Sequence, residues 1–115
     1  MTCYILNSFS FNMINPGTVF KMVMVDRSSV EEVVATLADR RGKNEGGVIS
    51  AVGHADTAKI FSQLLGEEIV AARVTVSLKM GDLAIVGQYV GTRLHEGATS
   101  LPEGARIDWI LAYLA

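Results

Sequence analysis

Apolar and polar residues along this chain fall into runs, alternations and helical spacings that mark out its elements in turn. Cys3-Tyr4-Ile5-Leu6 is a short apolar run of the kind a buried strand makes. After it, Phe9, Phe11 and Met13 alternate with Ser8, Ser10 and Asn12, so one side of the stretch is apolar and the other polar. Asn15-Pro16-Gly17 is a turn signal. Thr18 to Val25 is rich in β-formers with apolar residues on both faces, which predicts an interior strand covered from two sides.

Ser28 and Ser29 each stand three positions before a glutamate, Glu31 and Glu32, as in a capping box. Val30, Val33, Val34, Leu37 and Ala38 then follow at helical spacing, and Asp39 to Gly47 reads as a charged, glycine-bearing loop. Val48 to Val52 is a short strand that stops at Gly53. Helical spacing resumes in Ile60, Phe61, Leu64 and Leu65, with Gly66 where a helix C-terminus favours glycine. Gly53 and His54 therefore fall where a strand hands over to a helix.

Further on, Val74, Val76 and Leu78 alternate with Thr75 and Ser77, Met80-Gly81-Asp82 supplies a turn, and Leu83 to Val90 returns, which predicts a hairpin. A loop holding Pro102 and Gly104 precedes Ile107 to Leu114, where Ile107, Trp109, Leu111 and Tyr113 on one face favour a strand over a short helix. With no internal repeat and no linker, these elements predict an α+β fold in one domain over residues 1–115: a single mixed β-sheet of about five strands with helices packed on it.

Composition narrows the function classes. The chain of 115 residues is 50% hydrophobic and 19% charged, enough for one core and unlike a disordered segment. A net charge of -2 argues against sequence-independent binding to long DNA or RNA, which relies on a basic surface, but leaves room for a small anionic ligand in a local positive pocket. The single cysteine, Cys3, forms no intramolecular disulfide and no metal-ligand cluster, which favours a reducing compartment and a buried free thiol. No apolar run approaches the roughly eighteen residues of a membrane span, and no signal-peptide pattern opens the chain, so a cytoplasmic protein is expected.

Three segments carry candidate chemistry. In Gly53-His54-Ala55-Asp56-Thr57, free N–H groups and the positive end of the helix dipole make an anion site, Gly53 admits a phosphate closely, and a histidine there, at His54, is a residue type that can donate a proton. The plain alternative is a surface or capping histidine. In Arg93-Leu94-His95-Glu96, the guanidinium suits phosphate oxygens and Glu96 can orient a histidine or fix the arginine, against the alternative of a solvated ion pair. His95 is a second candidate histidine, but nothing around it offers an anion site. The polar stripe Asn7, Ser10 and Asn12 suits phosphates, ribose hydroxyls or base edges, and serves as readily in turns and caps.

Taken together and in this order, the segments resemble the viral ring nucleases, a type III anti-CRISPR family. Leu6-Asn7-Ser8-Phe9-Ser10-Phe11-Asn12-Met13 is similar to that family's Asn-Ala-Phe-Ser-Ile-Asn-Met opening. Gly53-His54 with Thr57, followed by an apolar helix ending Leu64-Leu65-Gly66, resembles its Gly-His-Asp-Ser-Thr motif. Ala72-Arg73-Val74-Thr75-Val76 resembles the next strand, and Arg93-Leu94-His95-Glu96-Gly97 its Arg-Leu-x-Glu-Gly motif. Two departures stand out: Ala55-Asp56 replaces Asp-Ser, and the loop from Asp39 to Gly47 is longer than the family's.

The resemblance implies a homodimer that encloses one cyclic tetra-adenylate between its subunits and cleaves it without metal or other cofactor, switching off type III CRISPR signalling. It assigns His54 as general acid, Glu96 as the residue that positions it and Arg93 as the phosphate-binding and transition-state residue. Asn7, Ser10, Asn12, Gly53 and Thr57 become substrate contacts. Two other classes stay open on the residues themselves: a non-catalytic protein that sequesters the cyclic oligoadenylate, and a structural or regulatory dimer without a nucleotide ligand.

Overall fold

The computed structural model describes residues 2–41 and 48–115. Its elements are β1 (Cys3–Leu6), a 3-10 turn (Phe11–Met13), β2 (Phe20–Val25), α1 (Arg27–Arg41), β3 (Val48–Ala51), α2 (Ala55–Leu65), β4 (Leu83–Val90) and β5 (Arg106–Leu114). The strands form one five-stranded sheet in the order β2-β5-β4-β1-β3. β1 runs parallel to both of its neighbours, with Cys3 opposite Val48 on one side and Leu83 on the other. β5 is antiparallel to β4 and β2, so the sheet is mixed, as the sequence predicts.

Alternation along the inner strands sends side chains into two cores. Cys3, Ile5, Leu83, Ile85, Trp109 and Leu111 face α1 and α2, where they meet Val30, Val34, Leu37, Ala58, Phe61 and Leu65. On the opposite face, Leu6, Ala84, Val86, Ala112 and Leu114 are covered by Val76 and Leu78 together with Phe9, Met13 and Ile14. Each large apolar side chain so buried contributes about 1.5–3 kcal/mol. No helix among the described residues is long and apolar enough to cross a membrane.

Three expectations are corrected. The segment around Val74, Val76 and Leu78 is not a strand, so the hairpin with β4 does not exist; both edges of β4 are taken, by β1 and β5. Its alternation reflects one-sided burial: Val76 and Leu78 are buried and Thr75 and Ser77 exposed. The Leu78 N–H donates to the Met13 carbonyl at 2.7 Å, which joins the two segments covering that face. β2 is an edge strand rather than an interior one, begins at Phe20 rather than Thr18, and leaves Met22 and Met24 exposed. An apolar run on a half-open edge has the same pattern as one in a sheet's interior.

The third correction concerns the start of α1. Asp26, not a serine, caps the helix: its Oδ1 accepts from the Ser29 N–H at 2.9 Å and from the Ser29 and Ser28 hydroxyls at 2.8 and 2.9 Å. These bonds, the Ser29 N–H foremost, hold the Asp26 carboxyl below its ordinary value. The helix runs to Arg41, so the expected loop starts later than Asp39, and its remainder, 42–47, lies outside the described residues.

The end of α2 reverses the chain. Gly66 takes the left-handed conformation at φ +70° and its N–H closes on the Ser62 carbonyl at 3.0 Å. The Ser62 hydroxyl also accepts from the Ile69 N–H at 2.8 Å, turning the backbone toward the sheet again. There Ala71 bridges Val52 and the Ala72 N–H donates to the Val52 carbonyl at 2.8 Å, which delivers Arg73 to the end of β3.

Candidate functional site

Because β3, β1 and β4 are parallel, all three release their C-terminal ends on one side of the sheet. Asn7 leaves β1 there, Gly53 and His54 leave β3, and the segment from Gly91 through Arg93 and Glu96 leaves β4. Open α/β sheets bind ligands outside the carboxyl ends of their strands for this reason: loops meet there and helices begin.

His54 holds the N-cap position of α2 in an extended conformation, but its imidazole makes no capping hydrogen bond. The capping alternative is thereby set aside, and the side chain is exposed. The first intrahelical bond runs from the Ala58 N–H to the His54 carbonyl at 3.0 Å, so the N–H groups of Ala55, Asp56 and Thr57 have no acceptor within the helix. They are the donors an anion uses at a helix N-terminus.

His54, Thr57, Arg93 and Glu96 line one groove of about 730 Å³, together with Asp56, Tyr89, Gly91 and Leu94. An adjoining groove of about 610 Å³ is lined by Asn7, Gly53, His54 and Arg73 among others, so His54 borders both. The Gly53 N–H donates to Asn7 Oδ1 at 3.3 Å, and Arg73 Nε donates to the Gly53 carbonyl at 3.0 Å, which holds the turn before His54 from both sides. Thr57 is buried in the wall, whereas Arg93 and Glu96 are exposed.

Six of the eight residues expected from the sequence thus border one of the two grooves: Asn7, Gly53, His54, Thr57, Arg93 and Glu96. Ser10 and Asn12 border neither. Ser10 caps the 3-10 turn, its hydroxyl accepting from the Asn12 N–H at 3.3 Å, and both side chains face solvent. His95 is also absent from the lining; its carbonyl closes a turn with the Ala98 N–H at 3.1 Å. Sequence reasoning assigned no role at the site to Arg73, Tyr89 or Asp56. Arg73 reaches it only through the bridge between Ala71 and Val52, which no local pattern encodes. Tyr89 borders the groove and gives its hydroxyl to the Thr92 carbonyl, whereas Trp109 is buried.

Among the described residues, no group of three or more His, Cys, Asp or Glu side chains is placed to hold a metal ion. The two adjoining grooves share the His54 imidazole and the open backbone donors at the start of α2, with Arg93 on one and Arg73 on the other, a set suited to a phosphodiester.

The profile of the STIV B116-like family matches residues 3–106, a span that takes in all three motifs. The chain belongs to the STIV B116-like family. Among solved structures it is similar to B116 of Sulfolobus turreted icosahedral virus, with a TM-score of 0.76 and 24% sequence identity over 98% of this chain and 99% of that one. At that identity the likeness establishes a shared fold. No curated protein matches the chain. Membership of the STIV B116-like family places the chain beside a viral protein, in line with the viral resemblance of the motifs.

Proposed function

We propose that this family member is a metal-independent ring nuclease that binds and cleaves cyclic tetra-adenylate, switching off type III CRISPR signalling. The observation that carries the reading is the meeting of His54, Arg93 and Glu96, from two separate strand ends, along one groove. A histidine beside an arginine and open helix N–H groups can hold a phosphodiester and protonate its leaving group.

The nucleophile is the substrate's own ribose 2′-hydroxyl. Its oxygen bonds to phosphorus as its proton passes to solvent, the bond to the 5′-oxygen breaks in line, and protonated His54 donates to that oxygen. Arg93 stabilises the charge on the equatorial oxygens, and Glu96 orients the imidazole. The products are linear adenylates with a cyclic phosphate at one end and a free 5′-hydroxyl at the other. Asn7 and Gly53 contact the ring from the strand ends, Thr57 from the first turn of α2, and Ser10 and Asn12 from the exposed turn. His54, Arg93 and Glu96 are all exposed, so a second copy of the chain closing over the ring supplies the dry environment that strengthens these interactions.

Incubation with cyclic oligoadenylates of different sizes in EDTA, followed by product analysis, tests substrate, reaction and metal independence together. Cleavage of the tetra-adenylate is expected, falling about 10²–10⁴-fold in single-turnover rate for His54→Ala. Cleavage by His54→Ala at the wild-type rate sinks the assignment. Intact ligand recovered from stoichiometric wild-type protein replaces the enzyme with a sequestering protein.

A further inference from the structure

Arg93 and Glu96 are carried on irregular chain, and irregular chain does not hold a side chain in place without an anchor. One end of the segment is fixed where it leaves β4: the Tyr89 hydroxyl donates to the Thr92 carbonyl, and Gly91 packs so closely on Ala105 that a Cβ there would lie 2.8 Å from the alanine methyl. At the other end, the Gly97 N–H donates to Asp56 Oδ2 at 3.1 Å, spanning 41 positions of sequence. Among the described residues, no other hydrogen bond joins 93–97 to another element. Gly97 sits at φ +82°, in the left-handed region, at the close of the turn in which Ala98 N–H meets the His95 carbonyl. That conformation is what aims its N–H at the helix.

Asp56 lies two positions after His54 in the first turn of α2 and borders the same groove as His54, Arg93 and Glu96. It is rigidly linked to His54 through the helix and to Glu96 through the adjacent Gly97. We infer that Asp56 is a positioning residue: through Gly97 it fixes the Arg93–Glu96 segment against the His54 end of α2. The role rests on the ring-nuclease reading for its catalytic meaning, but the tether is a property of the free protein. Engaging the carboxylate with an N–H donor also draws part of its negative charge away from an anionic ligand in the groove.

The experiment compares the wild-type protein with Asp56→Ala and Asp56→Asn. Amide hydrogen exchange at Gly97, read by NMR without ligand, is expected to speed up by about tenfold in Asp56→Ala and to be largely restored in Asp56→Asn, which keeps an oxygen acceptor. Single-turnover cleavage of cyclic tetra-adenylate is expected to fall about 10–100-fold in Asp56→Ala, as misplacement of catalytic groups entails, with ligand affinity retained and recovery in Asp56→Asn. Unchanged Gly97 exchange in Asp56→Ala overturns the tether. Faster exchange with a wild-type cleavage rate overturns the positioning role. A wild-type protein that cleaves no ring overturns the ring-nuclease reading instead, while the Gly97 exchange still decides the tether.

Discussion

The rings of Phe61 and Trp109 meet with centroids 4.9 Å apart at an interplanar angle of 53°, joining α2 to β5 over the sheet. Gly87 lies directly opposite Trp109 in the register and gives the rings their space: a Cβ there would lie 2.5 Å from Phe61 and 2.6 Å from Trp109. Neither ring has room to retreat, since both are buried. Gly87→Ala is expected to destabilise the fold by about 1–3 kcal/mol, read as a lower urea midpoint with an unchanged slope. An unchanged midpoint contradicts the packing.

Gly53 presents the opposite case. A Cβ at this position would meet only Arg73 Cγ, at the ordinary contact distance of 3.6 Å, so the fold itself leaves room for a methyl group. Gly53→Ala should therefore melt within about 0.5 kcal/mol of wild type, as substitutions away from tight packing do. If Gly53 serves close approach of a phosphate, the same variant weakens cyclic tetra-adenylate binding, measured by titration calorimetry. Wild-type affinity at wild-type stability removes Gly53 from the ligand contacts.

Cys3 is buried on the interior strand β1, and burial, with the Asp82 carboxylate as a second cause, pushes its thiol up to about 12 from an ordinary 9.0. Its thiolate is therefore scarce at neutral pH, and a disulfide reagent is expected to label it only after unfolding. The folded state keeps the proton that the unfolded state loses. This contribution to stability is full below pH 9.0 and is lost as pH rises toward about 12, by up to about 1.4 kcal/mol per pH unit. Cys3→Ala should flatten that alkaline slope, and an equal slope in both proteins assigns it to other groups.

Much of the fold is legible from residues because burial leaves periodic marks. Cys3 to Leu6, Leu83 to Val90 and the apolar stripe through Ile60, Phe61 and Leu65 all adopt the elements their spacing predicts. What spacing does not carry is partnership. Val76 and Leu78 alternate as a strand would, yet β4 already has two neighbours, and Thr18 to Val25 gives no sign that one of its sides lacks a partner. The cap of α1 was obscured by two serines that donate to Asp26 instead of receiving from the helix. At the site, His54 and Arg93 were legible as residue types in suitable settings. Their convergence follows from parallel pairing, a non-local property, as do the approaches of Arg73 and Asp56.

The direction of β3 has a consequence for how this family can vary. The chain enters that four-residue strand at Val48 and leaves it at Ala51, beside Gly53 and His54. Val48 is therefore at the end of the strand away from the imidazole. The backbone pairing of Val48 to Ala51 with Cys3 to Leu6 lies between that end of the strand and the groove, so a change of length ahead of Val48 is expected to leave the geometry of the proposed site unaltered.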